Sequence, residues 1–288
     1  MEAESRHLWS PPASVPTLAC SKTVEGGVEV WIDENLLRRS GVLVGFTARC
    51  GGVSAAPFES LNLASHVEDS PESVDENRRR VLRAVGLEAF RDRLTMAEQV
   101  HGTQIARVDA LSAGSGGFAA SGPPALAETD ALVTTEVGVP LALCFADCVP
   151  VVLVAPGPAV AVVHAGWRGA LDSFPAKAVA ELARVAGCQT SAIAAYIGPH
   201  IGACHYQVSP ELMSQFVNTF GTLARAASGG LDLDAIVSVS LDRAGVAPCH
   251  IARLGSCTAE TTDRFFSYRA EGGRTGRHAA LACIVASC

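Results

Sequence analysis

Three residues whose types suit metal chemistry stand at the ends of apolar segments, each beside a glycine or another turn signal. His101 follows AEQV, Cys148 follows LCFAD and His164 follows AVAVV. Strand ends are rigid, and the loop beside them leaves space for a ligand. Two imidazoles and one thiolate are a common zinc ligand set. Three protein ligands leave a fourth position open, as catalytic zinc requires.

A structural interpretation of the same residues stays open. A single histidine on an apolar strand is more often a hydrogen-bonded core residue than a ligand, and the separations of 47 and 16 residues between the three positions form no metal signature. Cys144 is a competing thiol, because it lies four positions before Cys148 and would face the same side of a strand. Spacing alone therefore does not establish a metal site.

Two further residues near these positions suit catalysis or binding. Asp147 interrupts an apolar run, and burying a carboxylate is costly unless it is paired or hydrogen-bonded. Asp147 is thus a candidate for orienting a ligand, pairing with an arginine or moving a proton. Arg168 lies in the segment GWRG between a predicted strand and a predicted helix. Because a helix N terminus offers free N–H groups, this segment is a candidate anion site.

The elements that must position these residues are a mixture of strands and helices. Apolar, β-branched runs predict strands over 41–49, 94–100, 105–110, 131–136, 139–147, 149–156, 159–166, 193–199 and 277–287. Helical periodicity and end signals predict helices over 71–85, 171–187, 210–220 and 231–245, with Ser70 and Ser209 as N-caps. The mixture predicts an α/β or α+β fold with mixed sheets, and no linker divides it.

The domain boundaries follow from local composition. Residues 1–25 carry acidic residues and prolines where a signal peptide needs a basic start, so we expect a disordered tail and a cytoplasmic protein. Residues 26–288 are predicted to form a single catalytic domain. The Gly/Ser/Pro-rich segment 111–128 is predicted to be a flexible insertion or, alternatively, a mobile lid. The arginines at 78–80 are expected on a solvated helix face.

Composition excludes several classes of partner. The 22 basic and 29 acidic residues give a net charge of −7 without a basic stripe, which argues against nucleic-acid binding. The most apolar stretch, 149–163, is interrupted by prolines, whereas a membrane helix needs about 20 continuous apolar residues. The ten cysteines contain no CxxC motif and are expected to be free thiols. A small-molecule substrate remains, and the oligomeric state is not predicted.

Taken together, these segments resemble the multicopper polyphenol oxidase (laccase-domain) family, also called purine nucleoside phosphorylase-like or, in bacteria, peptidoglycan editing factor. The matching motifs run in the family's order from about residue 41 to the C terminus. They are FTARCGGVS, SLNLASHVEDSPESVDENR, QVHG, TDALVT, ADCVPV, HAGWRG, IGPHIGACHYQV and FFSYR. The resemblance implies a layered α/β/β/α laccase-domain-like fold with a substrate pocket at the metal.

The resemblance also implies roles for individual residues. The ligands of one zinc ion would be His101, Cys148 and His164. We assign Asp147 and Arg269 as candidate catalytic residues, and Arg49, Asn62 and Arg168 as candidate substrate-binding residues. One departure concerns His205, since relatives usually have Cys-Cys-Tyr-Glu-Val where this chain has Cys-His-Tyr-Gln-Val. A fourth, alternative or supporting metal ligand at His205 therefore stays open.

Several activities are compatible with such a site. The leading prediction is zinc-dependent phosphorolysis of a purine nucleoside (adenosine, inosine or methylthioadenosine), with adenosine deamination as a companion activity. The alternatives are a zinc amidohydrolase that removes a misincorporated amino acid from a peptidoglycan precursor, and a non-enzymatic binding module stabilised by metal. Copper-dependent polyphenol oxidation ranks last, because the eight histidines contain no His-x-His pair. Copper is accordingly the less favoured cofactor.

Overall fold

The computed structural model describes residues 19–22 and 27–285, in which two six-stranded sheets face each other. Most of the predicted tail, residues 1–25, lies outside the described residues. Ala19–Lys22 are the exception, because they form a strand that pairs antiparallel with Glu29–Ile32. The first strand therefore begins before the predicted boundary at residue 25.

Twelve strands and six α-helices lie within the described ranges. The strands are β1 Ala19–Lys22, β2 Glu29–Ile32, β3 Val42–Thr47, β4 Thr95–Met96, β5 Ile105–Arg107, β6 Ala131–Thr134, β7 Leu141–Phe145, β8 Val149–Ala155, β9 Ala159–Ala165, β10 Ala194–Ile197, β11 Ile251–Arg253 and β12 His278–Ile284. The helices are α1 Glu34–Ser40, α2 Pro71–Ala84, α3 Trp167–Leu171, α4 Phe174–Ala186, α5 Pro210–Phe220 and α6 Leu233–Arg243. Short 3₁₀ helices occupy Glu88–Arg93, Thr190–Ala192, Gly221–Ala224 and Pro248–His250.

Both sheets are mixed, as predicted. The first has the order β1-β2-β3-β12-β7-β4 and the second has the order β11-β10-β8-β9-β6-β5. Neighbouring strands are antiparallel except in the pairs β4–β7, β5–β6 and β10–β11. The chain crosses from the first sheet to the second between β4 and β5 and again between β7 and β8. It returns to the first sheet between β6 and β7 and again between β11 and β12.

The main core lies between the sheets. Phe46 and Leu143 of the first sheet pack in one apolar cluster with Val152 and Val162 of the second, and all four are fully buried. Burial of such a side chain stabilises the fold by roughly 1.5–3 kcal/mol. A second cluster packs α2 on the outer face of the first sheet, and a third packs α3–α6 on the outer face of the second. The predicted α/β/β/α layering is therefore confirmed.

Local end signals set the bounds of two helices as predicted. The side chain of Ser70 accepts a hydrogen bond from Ser73 N at the start of α2, and Ser209 accepts one from Leu212 N at the start of α5. Such caps satisfy a backbone donor that has no partner inside the helix. No helix of the described ranges is long and apolar enough to cross a membrane.

The predicted helix over 171–187 is instead two helices. The chain leaves α3 and turns at Ser173, whose φ of 53° is left-handed, before α4 begins with Pro175 at its second position. Proline lacks an N–H group and its ring clashes with the preceding helical turn, so it does not fit inside a continuous helix. The predicted end at Gly187 is confirmed, since this residue caps α4 in a left-handed conformation.

The segment 111–128 is held against the protein, which corrects the prediction of a flexible insertion. The Arg78 guanidinium donates hydrogen bonds to the carbonyls of Leu63, Gly116 and Gly117. The Asp75 carboxylate accepts hydrogen bonds from the backbone of residues 119–120. Arg78 is 4% exposed, so it is no solvated surface residue as predicted. No residue of the segment lines the candidate site described below, which also argues against a lid.

Candidate metal centre and adjoining cavity

The three predicted ligands meet at the end of the molecule where the chain crosses between the sheets. His101 lies on the crossover from β4 to β5, Cys148 ends the crossover from β7 to β8, and His164 belongs to β9. One ligand atom of each lies within 4.8 Å of the other two. Pro150 pairs with His164 in the β8–β9 hairpin, so the register of this hairpin brings Cys148 beside His164.

A buried carboxylate holds both histidines. Asp130 Oδ1 lies 2.7 Å from His164 Nδ1 and accepts a hydrogen bond from His101 N, while Oδ2 accepts from the backbone N of Val100 and Gly102. The left-handed backbone of His101, with a φ of 60°, lets these three N–H groups converge on one carboxylate. With Nδ1 bound to Asp130, His164 has Nε2 left for a metal.

Asp130 was not among the site residues predicted from the sequence. The available signal was an aspartate placed directly before the apolar strand β6, in the motif TDALVT, where an unpaired carboxylate would be costly. Its partner at position 164 is 34 residues away, and that distance hides the contact from any local pattern.

The electrostatics of the centre favour a thiolate. Burial raises the pKa of the Cys148 thiol, but the neighbouring His164 and His101 lower it further than burial raises it, so the pKa lies below its ordinary value. Burial lowers the pKa of His164, whereas Cys148 and Asp130 raise it above its ordinary value. Metal binding needs the thiolate and a neutral imidazole, so a cation would displace the proton of His164.

Gly166 leaves the ligands the space that they need. A Cβ atom at this position would lie 2.8 Å from His101 Cδ2 and 3.3 Å from Cys148 Sγ. The rings of His101 and His164 lie nearly perpendicular, at 78°, with their centroids 4.8 Å apart. Two imidazoles and a thiolate around such a space fit a borderline-soft cation such as zinc or copper.

The competing thiol, Cys144, is not part of this group. It is buried, and burial raises the pKa of its thiol to about 11, which keeps it protonated. Its backbone N and O atoms bond to the side chain of Gln99 at 2.8 Å each. Cys144 therefore anchors the chain before His101 through its backbone.

A cavity of about 470 Å³ opens at the centre, within the range of small-molecule pockets. Its lining combines the three ligands with aromatic rings and guanidinium groups. The aromatic members are Phe145, Trp167, Tyr206 and Tyr268, and the guanidinium groups belong to Arg168, Arg269 and Arg277. Although the chain carries a net negative charge, this cavity has a cationic wall suited to an anion.

Two of these three arginines, Arg168 and Arg269, were predicted site residues. The Arg168 guanidinium lies 4.3 Å from the ring centre of Trp167, and that of Arg269 lies 5.2 Å from the ring centre of Tyr206. Stacking of this kind orients a guanidinium plane while its N–H groups stay available. Arg277 was missed, because it stands outside the family motifs and only the return of the chain into β12 brings it to the cavity.

Asp147 lines the cavity, but other groups occupy its carboxylate. Oδ1 accepts hydrogen bonds from the hydroxyls of Thr258 and Ser267, and Oδ2 accepts one from the backbone N of Arg269, all at 2.7 Å. Its φ of 92° is left-handed, a strained conformation for a residue other than glycine. These contacts favour a positioning role over the proton transfer considered from sequence.

Arg49 and Asn62, which were predicted as substrate-binding residues, are not among the residues that line the cavity. The Arg49 guanidinium pairs with Glu271 at 2.9 Å and lies over the ring of Phe266. Asn62 is fully buried, and its Oδ1 accepts a hydrogen bond from the backbone N of Arg277 at 2.9 Å. Asn62 therefore supports a wall of the cavity from behind.

His205 does not join the three-ligand centre. It belongs to a separate group with Cys204, Cys257 and Glu260, in which one ligand atom of each residue lies within 4.8 Å of the others. The departure noted in the sequence thus marks a second cluster of side chains whose types can bind a metal.

Comparison with known proteins agrees with this architecture. Residues 43–285 match the sequence model of a family described as multi-copper polyphenol oxidoreductase laccase. The chain is 38% identical to purine nucleoside phosphorylase YlmD of Geobacillus stearothermophilus over 83% of this chain and 88% of that protein. It is 36% identical to purine nucleoside phosphorylase Cgl2154/cg2365 of Corynebacterium glutamicum, over 82% and 92% respectively.

Solved structures have the same fold. The crystal structure of YlmD from Geobacillus stearothermophilus superposes with a TM-score of 0.83 at 34% identity and covers 93% of this chain and 100% of that one. The structure of the hypothetical protein YfiH from Bacillus licheniformis superposes with a TM-score of 0.81 at 32% identity, over 88% and 96%.

Proposed function

This chain belongs to the multi-copper polyphenol oxidoreductase laccase family, and from that premise we propose that it is a purine nucleoside phosphorylase with one zinc ion at His101, Cys148 and His164. Its substrates would be adenosine, inosine or methylthioadenosine, together with inorganic phosphate. The observation that carries the proposal is the mixed lining of the cavity, in which guanidinium groups and aromatic rings adjoin a thiolate–imidazole centre.

The guanidinium groups would bind phosphate. Arg168, Arg269 and Arg277 line the cavity, and paired N–H···O contacts to a phosphate are strong and directional. The Nη1 groups of Arg269 and Arg277 donate to backbone carbonyls, so in these two residues Nε and Nη2 would bind the phosphate. In phosphorolysis a phosphate oxygen forms the bond to the ribose C1′ while the glycosidic bond breaks. The electrons of that bond pass to the purine, which takes up a proton. Cations beside the phosphate hold it in the orientation for this attack.

The aromatic side chains would bind the nucleoside. Trp167 and Tyr268 present rings to the cavity, and Tyr206 adds a phenol whose pKa burial raises to about 12. Tyr206 therefore remains a hydrogen-bond donor at neutral pH. A bound zinc ion would supply Lewis-acid catalysis to the cavity. Asp130 would keep the ligand histidines oriented, and Asp147 would hold the backbone of Arg269 in place.

Zinc is favoured over copper by the donor set. The cavity lining contains neither a methionine nor a His-x-His pair, and multicopper oxidation depends on several histidine-rich copper sites. Polyphenol oxidation therefore remains the least favoured activity. A purely structural role for the centre is disfavoured as well, because a structural zinc is usually closed by four protein ligands and this centre opens to a cavity.

Chromatography of the reaction products tests the proposal. Purified zinc-loaded protein is incubated with adenosine or inosine, with and without phosphate and with and without a chelator. We expect phosphate-dependent, chelator-sensitive release of adenine or hypoxanthine, and its loss in His101→Ala. Inosine formed from adenosine without phosphate would add the deaminase activity. Absence of any product from a verified zinc-loaded sample would contradict the proposal and favour the alternative amidohydrolase acting on a peptidoglycan precursor.

A further inference from the structure

A second group of metal-binding side chains lies outside the cavity. It consists of two thiols, one imidazole and one carboxylate, from Cys204, Cys257, His205 and Glu260. None of the four lines the cavity beside the three-ligand centre. The two thiols come from separate segments of the chain, so the fold and not a local motif brings them together.

The distances suit a single ion. His205 Nδ1 lies 3.0 Å from Cys204 Sγ and 3.5 Å from Cys257 Sγ. Zinc binds sulfur at about 2.3 Å and imidazole nitrogen at about 2.0–2.1 Å with tetrahedral angles, which separates the two ligand atoms by about 3.5 Å. One of the two distances already has this value, and the other would lengthen by roughly half an ångström.

The backbone at Gly202 packs closely against the sulfur atoms of Cys204 and Cys257. Gly202 N donates a hydrogen bond to Cys257 Sγ at 3.1 Å, and Gly202 O accepts one from His205 N at 3.0 Å. A Cβ atom at Gly202 would lie 3.3 Å from Cys257 Sγ and 3.4 Å from Cys204 Sγ. An N–H group that donates to a ligand sulfur is a common feature of the surroundings of metal–thiolate sites, because it stabilises the thiolate.

We propose that Cys204, His205, Cys257 and Glu260 bind a second divalent cation, with zinc as the preferred ion. Four protein ligands complete a tetrahedron and leave no position for a substrate, which is the pattern of a structural site. The proposal is independent of the activity proposed for the cavity, since none of its residues takes part in that reaction.

An ion at this second site would also affect the wall of the cavity. Its ligands lie on two segments that run side by side through the bridge between His200 and Cys257. Both segments hold Asp147, because Ile201 N donates to its backbone O at 3.0 Å and the Thr258 hydroxyl donates to its carboxylate at 2.7 Å. An ion that joins the two segments would therefore fix the wall of the cavity that carries Asp147.

Metal content measured by mass spectrometry tests the proposal. Protein saturated with zinc under reducing conditions is freed of unbound metal and analysed. We expect about two zinc ions per wild-type chain, and about one in either His101→Ala or Cys257→Ser. Cys50→Ser serves as the matched control, because Cys50 is an exposed thiol outside both groups, and it should retain two. One zinc ion in the wild type and none in His101→Ala would overturn the proposal.

Cobalt substitution provides a second readout that does not depend on the number of metal ions bound per chain. In a Cys148→Ser background the three-ligand centre has no thiolate, so cobalt–thiolate charge-transfer absorption should arise from the second group alone. We expect this absorption in Cys148→Ser, its loss on adding Cys257→Ser, and its weakening in Glu260→Gln, a mild change at an exposed side chain. Absence of the absorption in reduced, folded Cys148→Ser would overturn the proposal, as would a Cys204–Cys257 disulfide whose reduction yields no metal binding.

Discussion

Asp130 couples two proposed metal ligands that are 63 positions apart in the sequence. Its two oxygens serve four hydrogen-bond partners, three on the His101 loop and one on the ring of His164. Hydrogen bonds and the charge of His164 lower the pKa of this carboxyl below its ordinary value, against the raising effect of its burial. Asp130 is therefore an ionised acceptor that would orient the proposed ligands without itself contacting a bound metal.

The substitution Asp130→Asn tests this role. An amide in place of the carboxylate turns a donor towards backbone N–H groups and removes the charge that holds His164, so we expect zinc affinity to fall by about 10–100-fold. Competition with a chromophoric chelator measures the affinity. Asp33→Asn is the matched control, because Asp33 is also buried but bonds to Tyr196, far along the chain from the ligands. Equal losses of affinity in both variants would contradict the assigned role.

Gly166 offers a steric test of the centre. Its φ of −68° is accessible to any residue, so Gly166→Ala adds a methyl group without backbone strain. The added Cβ would lie 2.8 Å from the His101 ring, and we expect the displaced ring to cost most of the zinc affinity. Gly169→Ala is the control, since its Cβ would meet its nearest neighbours at ordinary contact distances of 3.4–3.5 Å. Metal content of both purified variants distinguishes them, and full occupancy in Gly166→Ala would contradict the geometry.

His278 is a buried histidine that makes stability depend on pH. It is fully buried, and its burial together with the charge of Arg277 lowers its pKa from 6.5 to about 3, against the raising effect of the Pro199 backbone. At pH values between these two pKa values, His278 is protonated in the unfolded chain but not in the folded chain. The free energy of unfolding therefore falls as pH drops below about 6.5 and has its full value above it.

The variant His278→Leu should remove this dependence. At pH 5 the histidine costs about 2 kcal/mol relative to pH 7, because the pKa difference acts over roughly 1.5 pH units. We expect the loss of unfolding free energy between pH 7 and pH 5 to be smaller by that amount in the variant. Denaturant titrations at both pH values, in the presence of chelator, measure it. An identical loss in wild type and variant would mean that the pKa of His278 is not lowered by folding.

Residue types revealed the candidate ligands, but contacts decided the roles of their neighbours. A thiol and two imidazoles at strand ends are unusual enough to be recognised along the chain. An arginine, in contrast, looks the same in a sequence whether it faces a cavity, as Arg168 does, or a carboxylate, as Arg49 does with Glu271. Arg277 was missed for the same reason.

At the scale of elements, α2 acts as the anchor of the segment 111–128. The Arg78 guanidinium fills a place between α2 and this segment and donates four hydrogen bonds to three carbonyl oxygens. A buried guanidinium with four hydrogen bonds is strongly coupled to its surroundings, because its removal leaves several buried acceptors without a donor. Together with Asp75, which accepts hydrogen bonds from residues 119–120, Arg78 thus ties the irregular segment to α2.

The variant Arg78→Ala should release this segment. We expect a loss of about 3–5 kcal/mol in the free energy of unfolding and new proteolytic cleavage within 111–128. Denaturant titration and limited proteolysis followed by mass spectrometry measure the two effects. Arg184→Ala is the control, because the Arg184 side chain on α4 is 62% exposed in a surface pair with Glu181 and should contribute about 0–1 kcal/mol. Protection of the segment in Arg78→Ala would mean that other contacts hold it.

Elements with local signals were predicted well, and elements that depend on distant partners were not. Both Ser-Pro starts gave helices at the expected residues. The strand predicted over 94–100 is reduced to Thr95–Met96, because only these residues pair with β7, and they form the short edge strand of the first sheet. The strands β2 and β11 were overlooked, since their few residues become strands only through pairing within their sheets.

The cavity lies at the end of the molecule where the chain passes between the two sheets. Two crossovers supply His101 and Cys148, and the return into β12 supplies Arg269 and Arg277. A cation at the centre would therefore connect segments that belong to both sheets. Binding to the folded state alone stabilises it by mass action.

Thermal unfolding with and without zinc tests this connection. At free zinc about 100 times the dissociation constant, the stabilisation is about 2.7 kcal/mol, which corresponds to an increase in Tm of roughly 4–5 °C for a chain of this size. We expect this increase in a Cys257→Ser background, where only the cavity centre remains complete, and its loss on adding His101→Ala. An equal increase in both proteins would mean that zinc acts elsewhere.

The β8–β9 hairpin should tolerate inserted or deleted residues at its turn but not in its two strands. The proposed ligands occupy its open end, and the turn Pro156–Pro158 closes the other. Because side chains alternate between faces, gaining or losing one residue within either strand would turn His164 away from Cys148. We therefore expect related sequences to vary in length at the turn and not within the two strands. A peptide tag inserted at the turn should likewise leave the proposed site intact.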